Sequence, residues 1–221
     1  MALRPLRRWL KRPAPKPATF VIGDIHGCLK PLEQLLKKIA PGAKDRLIFV
    51  GDYIDRGPDS KAVVDFLLRL PYRAIFLLGN HEYMLMEYLE GGGEEIYMMN
   101  GGDATIKSYG GRDKIPAAHL AFFRRLKTFY EDPEFIVVHA GIRPQIPMEQ
   151  QRLEDLIWIR QEFFNYLGTY PKPIIFGHTP MRKVLLEKDR IGIDTGCFFG
   201  GKLTCLKLPE QRIIQVPGLQ R

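Results

Sequence analysis

TFVIGDIHG, residues 19–27, sets the reading of this chain: an apolar run stops at a glycine and delivers Asp24 and His26 into a turn. Four further stretches repeat the plan. They are RLIFVGDYIDRG (46–57), AIFLLGNHE (74–82), FIVVHAG (135–141) and PIIFGHT (173–179). The runs are continuously apolar and not alternating, which is the pattern of strands buried on both faces. Four of the protein's five histidines lie in the turns that follow them. In α/β proteins the rim beyond the carboxyl ends of the strands is where ligands bind.

Outward from that first stretch, the apolar runs predict strands at 19–23, 46–50 and 73–78. Leu29, Leu32, Leu36 and Ile39 follow helical spacing, with Pro31 in a first turn. Val63, Phe66, Leu67 and Leu70 do the same after a cap at Asp59 or Ser60. The resulting β-α-β-α-β order implies a largely parallel sheet with right-handed crossovers. Residues 81–130 read as mostly helical. Met84, Leu85 and Tyr88 form one apolar stripe, Gly91-Gly92-Gly93 breaks the chain, and Phe122, Leu126 and Phe129 form a second stripe. Met84, Met86, Met98 and Met99 suit core or groove lining better than a cofactor box. Beyond 134, strands are expected at 134–139, 173–177, 190–194, 202–208 and 212–216, enough for a second sheet packed on the first.

At 221 residues the chain can bury one sizeable core. We expect a single domain over 18–221, preceded by a basic extension over 1–17. The net charge is +8, yet Arg4, Arg7, Arg8, Lys11, Arg12 and Lys16 all lie in that extension, which has no acid. Removing those six leaves +2, so the body is near neutral. With no aromatic-basic strip either, this argues against a nucleic-acid partner. The extension reads as a solvated, proline-broken tail. Its alternative is a weak contact with an anionic surface through Leu6, Trp9 and Leu10. Its apolar stretch is too short for a signal peptide or a membrane span. Cys28, Cys197 and Cys205 are odd in number and lack CxxC spacing, which fits free thiols in a cytoplasmic protein.

Asp24 and His26 are two residues apart just past a strand end, so alternation lets both enter one pocket while Ile25 points away. Asp52 and Asn80 end the next two strands in the same way, and His139 and His178 come from two later ones. Six carboxylate, amide and imidazole ligands are too many for one tetrahedral site. They suit two divalent ions of the Mn, Fe or Zn type with a shared carboxylate, Mn being the expected activator. The lack of Cys ligands argues against a structural zinc.

GDIHG, GDYIDRG, GNHE, HAG and GHT, in this order, resemble the phosphoprotein phosphatase branch of the calcineurin-like metallophosphoesterases. The likeness runs to the small bacterial and phage serine/threonine phosphatases of the lambda phage type. It covers about residues 19–208, with Leu156–Arg160 and Ile193–Gly196 also similar. The resemblance implies a four-layer αββα sandwich of two mixed sheets with metals at the strand tips. It implies Asp24, His26 and Asp52 on one metal and Asp52, Asn80, His139 and His178 on the other, Asp52 bridging. It also implies His81 as general acid, Asp55 as the group that orients it, and Arg56 and Arg160 as phosphate clamps.

Elementary chemistry supports those roles. Metals roughly 3.5–4 Å apart can share one water and lower its pKa toward ~7, giving a hydroxide for in-line attack on phosphorus. Guanidinium groups suit the charge on the equatorial oxygens. A proton from an acid beside ligand Asn80 helps the leaving group, typically by about 10²–10⁴-fold. Glu82 is expected to favour a helix dipole or to support a ligand. Thr179 and Asp194 could tune ligands. Asp194 could equally close a turn. His119 is expected to pack or lie at the surface, and Arg143 could reach substrate.

One departure stands out. The branch usually carries an arginine just before the GNHE turn, and Leu78 stands there. Related symmetrical dinucleoside tetraphosphate hydrolases also lack that arginine, but usually lack the aspartate that is Asp55 here. The expectation is therefore a phosphomonoester hydrolase of serine/threonine phosphoprotein type in the sense of that branch, acting on a phosphoprotein or a small phosphorylated substrate. The alternative on the same site is a dinucleoside polyphosphate hydrolase of the diadenosine tetraphosphate type.

Overall fold

The computed structural model describes residues 17–220. The basic extension, apart from Pro17, lies outside the described residues. The first strands are β1 (Thr19–Ile22), β2 (Arg46–Phe49) and β3 (Arg73–Phe76), with helices α1 (Leu29–Ile39) and α2 (Ser60–Leu68) between them. Then come α3 (Asn80–Leu89), α4 (Glu94–Met99), α5 (Gly102–Tyr109) and α6 (Ala117–Phe123). The second half holds β4 (Phe129–Glu131), β5 (Ile136–Val138), α7 (Leu153–Trp158), α8 (Gln161–Phe164), β6 (Ile174–Phe176), β7 (Leu185–Leu186), β8 (Arg190–Gly192), β9 (Lys202–Leu208) and β10 (Arg212–Pro217).

The strands form two mixed sheets, ordered β10-β9-β1-β2-β3 and β4-β5-β6-β8-β7. In the first, β1, β2 and β3 run parallel and β9 returns antiparallel to β1. In the second, β5, β6 and β8 run parallel. Period-2 alternation explains why the runs are apolar throughout. Phe20, Ile22, Leu47 and Phe49 face the helices, while Val21, Ile48, Val137 and Ile175 meet between the sheets. Ile136, Val138, Ile174 and Phe176 face α7 and α8 on the far side. Both faces of both sheets are covered, which gives the four-layer αββα sandwich.

Local sequence places the helices. Helix α1 buries Leu32, Leu35, Leu36 and Ile39, carries Lys37 and Lys38 in its last turn, and stops at Ala40 in the left-handed region. One expectation needs correction, and one strand had no expectation at all. The apolar stripe Phe122, Leu126, Phe129 is not one helix, because α6 ends at Phe123 and Phe129 opens β4. The chain instead bonds to the end of β3, with Lys127 N–H to the Phe76 carbonyl and Leu78 N–H to the Lys127 carbonyl. That tertiary pairing outweighs the helical spacing. The two-residue β7 is too short to leave a periodic signal. Among the described residues no helix is long and apolar enough to cross a membrane.

Candidate metal centre

The turns after the parallel strands converge on one rim. Asp24 and His26 follow β1, Asp52, Asp55 and Arg56 follow β2, and Asn80 and His81 open α3. His139 follows β5 and His178 follows β6. His26, Asp52, Asp55, Arg56 and His178 all take positive φ, from 47° to 70°. Such strain in non-glycine residues gathers at functional sites. Two glycines make room for the carboxylates. A Cβ on Gly79 would sit 2.1 Å from Asp52 Oδ1, and one on Gly177 would sit 2.0 Å from Asp24 Oδ1.

Asp52 lies at the middle of the cluster. Its Oδ2 is 3.5 Å from His26 Nε2 and 3.9 Å from His81 Nε2, and its Oδ1 is 3.4 Å from His139 Nε2. Asn80 Oδ1 is 2.9 Å from both His139 Nε2 and His178 Nδ1. Two groups able to hold a metal ion result: His26, Asp52 and His81, and Asp52, His139 and His178. Hydrogen-bond partners assign the ring protons. His26 Nδ1 faces the Ile54 carbonyl at 3.0 Å and His139 Nδ1 faces the Val50 carbonyl at 2.9 Å. A carbonyl only accepts, so Nδ1 carries the proton in each ring and the Nε2 lone pair points into the cluster. His139 Nε2, Asn80 Oδ1 and Asp52 Oδ1 then face one another as three acceptors with no proton between them. Asp24 Oδ1 is buried without a partner, while its Oδ2 accepts from the His178 N–H at 2.8 Å. This donor set fits divalent cations.

The electrostatics agree. Burial, with Asp194 and Asp52 nearby, pushes the Asp24 carboxyl well above its ordinary range. Burial also raises Asp52, but His139, His81, His26 and His178 outweigh it, and the net shift is downward. Burial holds His26 and His139 below the ordinary imidazole value and takes His178 down to about 2. Asp194 is pushed up to about 6, mainly by burial. Neutral imidazoles beside carboxylates short of positive charge leave an electrostatic demand that cations meet.

His81 is fully buried, its Nδ1 2.7 Å from Asp55 Oδ2, and its Nε2 has no partner. Arg56 Nη1 is 2.7 Å from His26 Nε2, and Arg160 Nε donates to His178 Nε2 at 3.1 Å, so both guanidiniums flank the cluster. Leu78 packs into the outer core beside α7 and α8. Arg143 does not reach the cluster, because Asp155 holds it through contacts of 2.9 and 2.6 Å. His119 packs inside, bonded to Tyr109 and Asp65. Asp194 is buried and closes a turn, accepting from the Gly196 N–H. Thr179 Oγ1 is buried without a partner. Asp59 takes the N-cap position without a side-chain bond.

Sequence reasoning left Glu82 between a helix-dipole and a ligand-supporting role, and it missed Tyr97 and Thr105. Glu82 accepts from the backbone N–H groups of Asp52, Tyr53, Ile54 and Gly79 at 2.8–3.3 Å, so it ties the Asp52 turn to the start of α3. Its capping-box position is a local clue to the Gly79 contact alone. Tyr97 and Thr105 donate to Asp55 Oδ1 at 2.9 and 2.6 Å. They stand 42 and 50 positions from Asp55, and no local pattern announces them.

A family model described as calcineurin-like phosphoesterase matches residues 18–213. The chain is 28% identical over 232 residues to a bis(5'-nucleosyl)-tetraphosphatase PrpE [asymmetrical] of Oceanobacillus iheyensis, covering 90% of this chain and 92% of the relative. It is 29% identical over 234 residues to the protein of that name in Halalkalibacterium halodurans, covering 90% and 94%. The crystal structure of a candidate diadenosine tetraphosphatase superimposes with a TM-score of 0.75 at 28% identity, covering 93% of this chain and 95% of that one. A cold-active protein tyrosine phosphatase shares the fold with a TM-score of 0.68 at 19% identity, over 90% and 75% of the two chains.

Proposed function

We infer that this chain, which belongs to the calcineurin-like phosphoesterase family and is a metal-dependent phosphoric ester hydrolase, cleaves dinucleoside tetraphosphates of the diadenosine tetraphosphate type. The observation that carries this reading is the set of cations at the rim. Arg56 and Arg160 flank the ligand cluster, and the apolar Leu78 stands where the protein phosphatase pattern has a further arginine. An internal phosphate of a polyphosphate has two non-bridging oxygens and one negative charge, whereas a phosphomonoester has three free oxygens and up to two charges. Two guanidiniums match the former. The names of the relatives, which align along nine-tenths of this chain, point the same way. They favour this substrate over the phosphoprotein expected from the motifs.

Asp24, His26 and Asp52 would hold one divalent ion, and Asp52, Asn80, His139 and His178 a second, with Mn²⁺ as the expected activator. When bound, such a pair supplies an activated water and offsets charge on the phosphoryl oxygens. Arg56 and Arg160 hold the two non-bridging oxygens in line with the cluster. His81 passes a proton from Nε2 to the leaving oxygen, and Asp55 aims the ring from its Nδ1 side. Tyr97 and Thr105 fix Asp55, and Glu82 fixes the turn that carries Asp52. A polyphosphate is a better leaving group than a serine alkoxide, so His81 assists here more than it determines the rate.

Comparing kcat/KM for diadenosine tetraphosphate, a phosphoserine peptide and p-nitrophenyl phosphate with Mn²⁺ tests the reading. We expect the dinucleotide to lead by at least about tenfold, a transition-state preference of roughly 1.4 kcal/mol, and to give AMP and ATP. Two ADP would mark symmetric cleavage. A lead for the phosphopeptide would overturn the assignment.

A further inference from the structure

Nine large hydrophobic side chains are exposed among the described residues, and only two of them are aromatic, Trp158 and Phe199. Isolated exposed apolar residues are ordinary. These two are set apart by their neighbours. Phe199 is 55% exposed, and the Arg56 guanidinium lies 5.5 Å from its ring centre. Arg56 in turn contacts His26. Trp158 is 38% exposed, and its ring meets His178 edge-on with centres 6.0 Å apart. Arg160, two residues on, donates to that same histidine.

The two aromatics therefore attend opposite halves of the ligand cluster. Phe199 stands with the group that contains His26, and Trp158 with the group that contains His178. Each half of the cluster thus has one guanidinium and one aromatic ring beside it. A dinucleoside tetraphosphate has a flat base at each end and a polyanion between, one base for each ring.

Neither ring is needed by the core. Phe198 packs against the core beside Phe199. Phe199 itself sits on a tight loop in which its N–H bonds the Gly196 carbonyl and Gly196 and Gly200 take positive φ. Trp158 ends α7, where Leu156 and Ile157 fill the interior in its place. Beside it opens a cleft of about 450 Å³, lined in part by Trp158, Arg160 and Arg143 and on its acidic side by Glu154, Asp155 and Glu162. That volume is within the range of small-molecule sites.

We propose that Phe199 and Trp158 stack on the two nucleobases of the substrate and so select nucleoside-capped polyphosphates over bare ones. The proposal rests on the dinucleotide reading above and adds the residues that make it specific. Aromatic–base stacking is sequence-tolerant, so either purine base suits each ring.

The test is the ratio of kcat/KM for diadenosine tetraphosphate to that for inorganic tetraphosphate, measured with Mn²⁺ on the full chain. Trp158→Ala and Phe199→Ala should each lower that ratio, by roughly 5- to 150-fold per lost stack, and through KM more than kcat. Trp158→Phe and Phe199→Tyr should restore most of it, and the base-free substrate reports that each variant is folded. A binding readout needs no turnover. AMP should quench the fluorescence difference between the parent chain and Trp158→Phe at lower concentration than ribose 5-phosphate does. If the parent chain cleaves the dinucleotide and both alanine variants keep its ratio, the stacking proposal fails alone. If the parent chain does not cleave it, the substrate reading fails. AMP-selective quenching would then keep Trp158 as a base site for another nucleotide, and equal quenching would end both.

Discussion

Asp55→Asn exchanges one carboxylate oxygen for an amide at constant volume, at a position whose φ of 70° asparagine also tolerates. The parent carboxylate takes His81 Nδ1 at 2.7 Å on Oδ2, and Tyr97 Oη and Thr105 Oγ1 at 2.9 and 2.6 Å on Oδ1. The asparagine has one acceptor oxygen. If that oxygen faces His81, the amide donates toward two hydroxyls, which turn to accept. If the amide faces His81, the ring accepts at Nδ1 and carries its proton at Nε2. Both arrangements are satisfiable, so the protein folds. In both, a charge-assisted bond becomes a neutral one, a loss of about 1–1.5 kcal/mol, the gap between roughly 1.5–3 for charged and 0.5–1.5 for neutral bonds. At 1.36 kcal/mol per tenfold, that is about tenfold on any step that draws its proton from His81. Substituted phenyl phosphates provide the assay. Phenyl phosphate should lose roughly tenfold in kcat/KM and p-nitrophenyl phosphate less than about twofold, with metal content unchanged. Equal losses across the series would refute the role given to the Asp55–His81 pair.

Asp52→Asn should lower metal occupancy in both groups, read by elemental analysis, and a full complement of both ions would reject Asp52 as their bridge. Gly177→Ala puts a methyl carbon 2.0 Å from Asp24 Oδ1; it should destabilise by about 1–3 kcal/mol in urea titration and weaken metal binding, and unchanged affinity would show Asp24 to be dispensable. In chelator-treated protein, His26, His139 and His178 sit below their ordinary value of 6.5, so their stabilising contribution is present above about 6.5 and is lost as pH falls. Asp24, Glu82 and Asp194, all raised mainly by burial, pull the other way down to about pH 4, so the denaturation midpoint should drop chiefly below about pH 4, where the histidines and the lowered Asp52 act unopposed. Arg56→Ala removes a donor from the His26 lone pair and a charge that repels cations; it should tighten Mn²⁺ binding by calorimetry while raising KM, and weaker Mn²⁺ binding would contradict the competition.

The five apolar runs and their turns were legible because strand, glycine and ligand follow one another in sequence. The parallel order then forces those turns onto one rim. Fully buried strands also advertise themselves, since Val21 and Phe20 must both be apolar to face different layers. What was not legible depends on distant partners. Phe129 continues a helical stripe on paper, yet it pairs with Val138 in the second sheet. Glu82 looks like a helix-start glutamate until the Asp52 turn folds over it. Nothing near Tyr97 or Thr105 marks them as the groups that hold Asp55. The substrate was the least legible feature, because the motifs encode the reaction centre, which hydrolases of different phosphoric esters can share.

The backbone of the rim explains why a site of this kind needs so large a support. Among the described residues eight non-glycine positions take positive φ, and five of them, His26, Asp52, Asp55, Arg56 and His178, belong to the cluster. Strained φ/ψ costs of order 1–3 kcal/mol per residue, with Asp and His at the lower end. Five such residues thus cost at least about 5 kcal/mol, comparable with the entire net stability of many domains. The left-handed turn is what swings each side chain from the strand end back over the rim. Glycine at position 26 or 178 would relax the backbone and delete the imidazole in the same step. Part of the cost is offset locally, by the four N–H groups that Glu82 gathers and by the Arg56 N–H bond to the Gly101 carbonyl. Bound ions would add about 2.7 kcal/mol at a hundred times their dissociation constant. Stability and ligand geometry therefore pull this rim toward different sequences, and the two covered sheets beneath it are what allow the ligand geometry to prevail.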